Sequence, residues 1–170
     1  MDKTDLNEYI AQMRAGNKQA FANVYNELKQ PIYTIIYRIV RSQQIAEDIT
    51  QDVFVKLFVA PPEPSVKNPR AWIFQMARNS AIDALRKMQT TDTNGYIPAD
   101  DDQLGRMLTR WDMETAICRL PQDERETLSL RINAELSFGE IAAIVGISLP
   151  AVYRRYRKAL KSLREFLTEV

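Results

Sequence analysis

The chain has 170 residues, 45% of them aliphatic or aromatic, enough for one large or two small domains with real cores. It contains one cysteine and no histidine, which excludes an internal disulfide and histidine-based catalysis or metal binding. It also has no glycine-rich phosphate loop and no paired metal-ligand motif, so neither an enzyme nor a cofactor is expected. The polar, acidic start from Met1 to Glu8 is unlike a signal peptide, and no apolar run approaches membrane-spanning length; the expectation is a cytoplasmic protein without membrane insertion.

The 23 basic and 22 acidic residues nearly cancel in total but not locally: residues 89–120 hold 3 basic and 6 acidic groups. Five glycines, long stretches of Ala, Leu, Ile, Arg and Glu, and no alternating strand pattern predict an all-α fold. Helices are expected over about 4–14, 17–41, 44–59 and 69–88, with a disturbance of the second at Pro31. Turn formers, a proline and an acidic triplet between Thr90 and Asp102 read as a flexible linker. After it, helices are expected over about 103–119 and 122–133, followed by a helix-turn-helix. The division is thus two small helical domains, 1–88 and 105–170, joined by residues 89–104.

In the third helix Ile45, Ile49, Val53 and Leu57 make an apolar stripe, while Glu47, Asp48, Gln51 and Asp52 crowd another side. Neighbouring like charges cost stability, so such a face suits either bulk solvent or a basic partner. The loop from Pro61 to Pro69 is extended and stiffened by its prolines, as a connector or as the wall of a shaped pocket. In the fourth helix Trp72, Arg78, Asn79, Arg86 and Lys87 interleave aromatic, amide and cationic groups. Those groups suit unpaired bases, although Trp72 with Phe74 and Met76 also fits a core. Cys118 lies in an apolar run beside Ile117 and Leu120 and reads as a buried thiol.

The segment from Leu136 to Lys158 carries the strongest signal. Ser137 and Glu140 form a capping box, Gly146 ends the helix in a left-handed turn, and Ser148 with Pro150 opens a second helix. On that helix Val152, Tyr156, Ala159, Leu160 and Leu163 make one buried face, leaving Tyr153, Arg154, Arg157 and Lys158 outward and Arg155 at the boundary. Six basic residues and no acidic one lie between Tyr153 and Arg164. A basic face alone fits any solvated amphipathic helix; cap, turn and cap in sequence point to a helix-turn-helix over about 137–156 that reads duplex DNA.

Three ordered blocks, Ala46–Leu57, Arg70–Arg86, and Leu120–Arg131 followed by Leu136–Arg155, resemble the extracytoplasmic-function sigma factors of the sigma-70 family. The resemblance implies an initiation factor that binds core RNA polymerase and reads the −10 and −35 promoter elements. It implies that Glu47, Asp48, Gln51 and Asp52 face the β′ coiled coil, with Phe54 and Leu57 forming or supporting that surface, and with β as a further polymerase contact. By the same resemblance Lys67, Asn68, Trp72, Arg78, Asn79, Arg86 and Lys87 meet the single-stranded −10 element. Ser148, Pro150, Tyr153, Arg154, Arg155, Arg157 and Lys158 meet the −35 duplex. It also admits an anti-sigma factor as partner. A conventional helix-turn-helix regulator with an N-terminal sensing or dimerisation domain would explain residues 136–158 but not the two earlier blocks. Pro150, Ala151 and Tyr153 stand where the family more often has a small residue, threonine and lysine. Glu135 replaces a common glycine, from which a longer preceding helix is expected.

Overall fold

The longest apolar period of the sequence becomes α2 (Lys18–Val40), the spine of the N-terminal half. Its residues Ala20, Val24, Leu28, Ile32, Ile35, Ile36 and Ile39 recur at three- and four-residue steps and are all buried. That stripe packs against α1 (Lys3–Arg14), α3 (Gln43–Val59) and α4 (Pro69–Thr91). Leu6 and Ile10 of α1, Val53 and Leu57 of α3, and Ile73, Phe74 and Ala77 of α4 close the core. The computed structural model describes residues 3–91 and 108–168, with side chains over 5–90 and 113–168.

Short polar residues set where these helices begin. The Asn17 side-chain oxygen accepts from the Gln19 and Ala20 N–H groups at 2.9 and 3.3 Å, starting α2 directly after Gly16, whose φ of 85° ends the preceding turn. Arg41, at φ 57°, turns the chain, and the Ser42 hydroxyl accepts from Ile45 N–H at 3.5 Å, so only two residues join α2 to α3. Pro31 does not interrupt the spine: α2 runs unbroken from Lys18 to Val40. An internal proline costs about 3 kcal/mol through a lost hydrogen bond and a crowded turn. Leu28, Ile32, Ile35 and Ile36, all buried around it, offset that cost.

The chain divides into two compact units, residues 1–98 and 99–170. α4 reaches Thr91, three residues past the expected end of the first domain at 88, and the remaining expected linker residues lie outside the described ones.

The second unit comprises α5 (Leu108–Arg119), α6 (Gln122–Ile132), α7 (Phe138–Val145) and α8 (Leu149–Thr168). Residues 103–107, expected to begin α5, lie outside the described residues. Ala116, Ile117 and Leu120 pack with Leu128 of α6 and with Ala159 and Leu163 of α8, flanked by Tyr156 and Phe166. The Arg125 guanidinium donates to the Cys118 and Leu120 carbonyls at 2.9 and 3.0 Å, satisfying acceptors left open where α5 ends. Cys118 itself is half-buried rather than fully enclosed.

Two expectations in this unit are corrected. Leu160, placed on the buried face of α8, is 43% exposed; the apolar stripe there passes through Val152, Ala159 and Leu163. Glu135 does not prolong α6, which stops at Ile132. It instead adopts φ 56°, the left-handed conformation that a glycine would hold without strain. The Leu136 N–H then returns to the Leu130 carbonyl at 3.2 Å and closes the turn.

Candidate nucleic-acid interface and acidic helix face

The helix-turn-helix is built by its caps. Ser137 N–H donates to a Glu140 carboxylate oxygen at 2.6 Å and Glu140 N–H to the Ser137 hydroxyl at 3.3 Å, a reciprocal capping box. Gly146, at φ 75°, ends α7; its N–H and that of Ile147 both reach the Ala142 carbonyl, at 2.9 and 3.2 Å. The Ser148 carbonyl accepts from Ala151 and Val152 at 3.0 and 3.1 Å and so opens α8, with Pro150 exposed in its first turn.

Aromatic packing fixes the angle between the two helices. Phe138 lies 4.3 Å from the Tyr153 ring and 5.1 Å, edge-on, from Tyr156, and the Arg131 guanidinium sits 5.0 Å from the Phe138 ring. Tyr153 nevertheless remains 47% exposed. It therefore reaches solvent from a braced position.

The four cations in the first half of α8 fall into two pairs. Arg154 and Arg157 are exposed, with no acidic partner among the described residues. Arg155 Nε lies 3.2 Å from Asp123 Oδ2, and Lys158 Nζ lies 2.8 Å from Glu124 Oε1. Both acids belong to the first turn of α6, where the helix dipole favours negative charge.

On α3 the expected acidic face is present: Glu47, Asp48, Gln51 and Asp52 are all exposed. Glu47 accepts from the Gln43 side chain at 2.9 Å, and no cation among the described residues pairs with Asp48 or Asp52. Phe54 is only 3% exposed, its ring edge-on 4.7 Å from Tyr25, and Leu57 is fully buried; both underpin the face from inside. The apolar groups that do reach solvent are Val55, Phe58 and Val59. The series Asp48, Asp52, Val55, Val59 follows four-, three- and four-residue steps, so one stripe of α3 passes from acidic to apolar. That period stands in the sequence, inside an apolar run whose exposed members the spacing alone does not mark.

A cleft of about 360 Å³ opens beside Glu47, lined by Tyr25, Lys29, Gln30, Tyr33, Thr50, Gln51 and Phe54. Burial, reinforced by the nearby Glu47 carboxylate and by Tyr37, raises the Tyr33 phenol above its ordinary value.

The proline-rich loop is tied to α1: the Arg14 guanidinium donates to the Pro62 carbonyl at 2.7 Å, and Pro62 is buried. Lys67 is exposed, whereas the Asn68 side-chain oxygen accepts from Ala71 N–H at 3.1 Å and caps α4. Trp72, Asn79 and Arg86 recur every seven residues and share a helix face. Trp72 is half-buried; Asn79 and Arg86 are exposed. Gln75, unremarked in the sequence, is exposed on the same side. Arg78 is half-buried and Lys87 exposed, each on a neighbouring strip; Arg86 makes a long 4.0 Å ion pair with Asp83.

Among the described residues no helix is long and apolar enough to cross a membrane, and no cluster of acidic or cysteine side chains could hold a metal ion.

Residues 24–91 match the family model of Sigma-70 region 2, and residues 110–163 match that of Sigma-70 region 4. The ECF RNA polymerase sigma factor SigW of Bacillus subtilis is 26% identical, over 97% of this chain and 98% of its own length. The ECF sigma factor RpoE of Cereibacter sphaeroides is 27% identical, over 98% and 99%. Among solved structures, RpoE bound to the anti-sigma factor NepR from Bartonella quintana superposes with a TM-score of 0.71 at 23% identity, covering 87% of this chain and 96% of that one. CnrH bound to the cytosolic domain of CnrY gives 0.67 at 22%, covering 97% and 98%. At these identities the structural likeness is one of fold.

Proposed function

The chain belongs to the sigma-70 family as an extracytoplasmic-function RNA polymerase sigma factor, and we propose how its surfaces divide that work. The acidic α3 face docks on the basic coiled coil of the polymerase β′ subunit through Glu47, Asp48, Gln51 and Asp52, with Phe54 and Leu57 as its support. Val55, Phe58 and Val59 extend the contact with apolar area, which a purely electrostatic dock would lack.

The loop around Lys67 and the exposed side of α4 receive the melted −10 strand. Trp72 supplies a stacking surface, Asn79 a base edge contact, and Arg78, Arg86 and Lys87 phosphate contacts. α8 enters the major groove at −35 with Ser148 and Pro150 at its leading end and Tyr153, Arg154 and Arg157 outward. Each grip is modest alone, and joining them in one chain on polymerase raises their effective concentration. Melting costs a few kcal/mol per disrupted step, offset by capture of the extruded base. RNA synthesis belongs to the polymerase, so this chain takes no catalytic step and acts in the cytoplasm where polymerase works. An anti-sigma factor that covers the α3 face would silence it; the superposed RpoE of Bartonella quintana is itself in complex with the anti-sigma factor NepR.

The observation that carries this reading is the coexistence of an unneutralised acidic helix face with a braced, basic helix-turn-helix in one chain. A conventional regulator would leave the first unexplained, and the region 2 match over residues 24–91 accounts for it. The decisive experiment is transcription in vitro with core polymerase over a promoter library. Initiation confined to promoters sharing −10 and −35 elements is expected; no complex with core polymerase would sink the reading.

A further inference from the structure

The recognition helix α8 holds its cations in two chemical states. Arg154 and Arg157 stand free in solvent among the described residues, while Arg155 and Lys158 are drawn back onto Asp123 and Glu124 at 3.2 and 2.8 Å. Glu124 is the more constrained acid. Its side chain is 3% exposed, and its Oε2 atom is buried without a hydrogen-bond partner, so the Lys158 ammonium is what compensates its charge. A buried carboxylate stripped of its counter-charge is strongly destabilising, since water cannot replace the lost partner. Lys158 is 71% exposed along its side chain, yet moving its ammonium to a DNA phosphate would leave Glu124 ionised and alone.

We propose that Asp123 and Glu124 are positioning residues that set the strength of the α8 grip: they hold Arg155 and Lys158 out of phosphate contact and leave duplex binding to Arg154 and Arg157. This rests on the reading of α8 as the duplex-reading helix. Sequence-independent affinity grows with each phosphate a protein neutralises, whereas base contacts do not. Withholding two cations therefore lowers affinity for right and wrong duplexes by about the same factor and makes its salt dependence shallower. The Glu124 hydrogen bond also raises the Lys158 ammonium above its ordinary value.

The test measures the affinity of the full-length chain for a −35 duplex and for a scrambled duplex, between about 50 and 200 mM salt. Glu124→Gln keeps shape but removes charge and frees Lys158. The salt slope should steepen by about 0.9, and the scrambled and −35 duplexes should gain affinity by similar factors. Adding Lys158→Ala to Glu124→Gln should return the slope to the wild-type value without leaving a buried acid unpaired. Asp123→Asn, at a half-exposed position that spares the core, should act likewise through Arg155. An unchanged slope in both single variants would overturn the proposal. So would a slope in the double variant flatter than wild type, because Lys158 would then already touch phosphate. No duplex binding by the wild-type chain, alone or with core polymerase, would overturn the α8 reading together with the proposal.

Discussion

The acidic helix α3 and the basic helix α8 are opposite in sign and also in how their charge is kept. Asp48 and Asp52 have no cationic partner among the described residues, so α3 carries an uncompensated repulsion. On α8, by contrast, Asp123 and Glu124 neutralise half of the Arg154, Arg155, Arg157 and Lys158 group from within. A face whose charge stays open attracts a complementary protein strongly and at long range. A face partly quenched binds phosphate less readily and with a shallower salt dependence, on right and wrong sites alike. The pattern suits one helix that attracts a complementary partner and another whose own hold on DNA stays modest.

The largest expected effect separates support from contact on α3. Phe54→Ala removes a ring buried against Tyr25 and Phe21 and should cost about 3–5 kcal/mol of unit stability, seen in thermal or urea unfolding. Phe58, which is 52% exposed with one edge on Phe21, is the control. Phe58→Ala should cost far less stability while weakening association with core polymerase in a binding titration. Equal stability losses would erase the distinction between inner and outer aromatic.

Reversing Glu47 and Asp48 to lysine places like charge against a basic partner, a penalty of several kcal/mol, or a hundredfold or more in polymerase affinity. Both positions are exposed, so unfolding should shift by no more than about 0.5 kcal/mol and the binding of duplex DNA should stay unchanged. Joint loss of polymerase and DNA binding would mean that α3 has no separate role. On α8, Arg154→Ala with Arg157→Ala should flatten the salt slope by about 1.8, two phosphates' worth. An undiminished slope would show that the open cations do not touch DNA, and the contrast between the two helices would lose one side.

What could be read from the chain alone follows from how local each determinant is. The caps at Ser137, Glu140 and Gly146 act within one turn, and the structure places their hydrogen bonds where the spacing predicts them. The α2 stripe is likewise a property of one helix. The ion pairs of Arg155 and Lys158 join residues more than thirty positions apart, so a reading of α8 by itself treats all its cations as equally free. Asn68 poses the same difficulty on a shorter scale: as a side chain type it fits base recognition, but its oxygen is engaged in starting α4. Val55, Phe58 and Val59 lie in an apolar run, and such a run does not reveal which of its members a neighbouring helix covers.

Glu135 offers the smallest effect and bears on the brace behind α8. Its φ of 56° imposes the steric cost that a left-handed conformation carries for a residue with a Cβ, roughly 1 kcal/mol. Glycine would remove that strain but also loosen the unfolded chain, an opposing term of about 0.5–1 kcal/mol. Glu135→Gly should therefore raise the stability of the second unit by no more than about 1 kcal/mol, measurable as a small increase in unfolding midpoint. The salt slope of DNA binding should not move, because the Leu136 carbonyl would still accept from Arg131 at 2.9 Å and the Arg131–Phe138–Tyr153 stack would hold α8 in place. A changed slope would show that the turn at Glu135, and not the aromatic stack, sets how the open cations of α8 are presented.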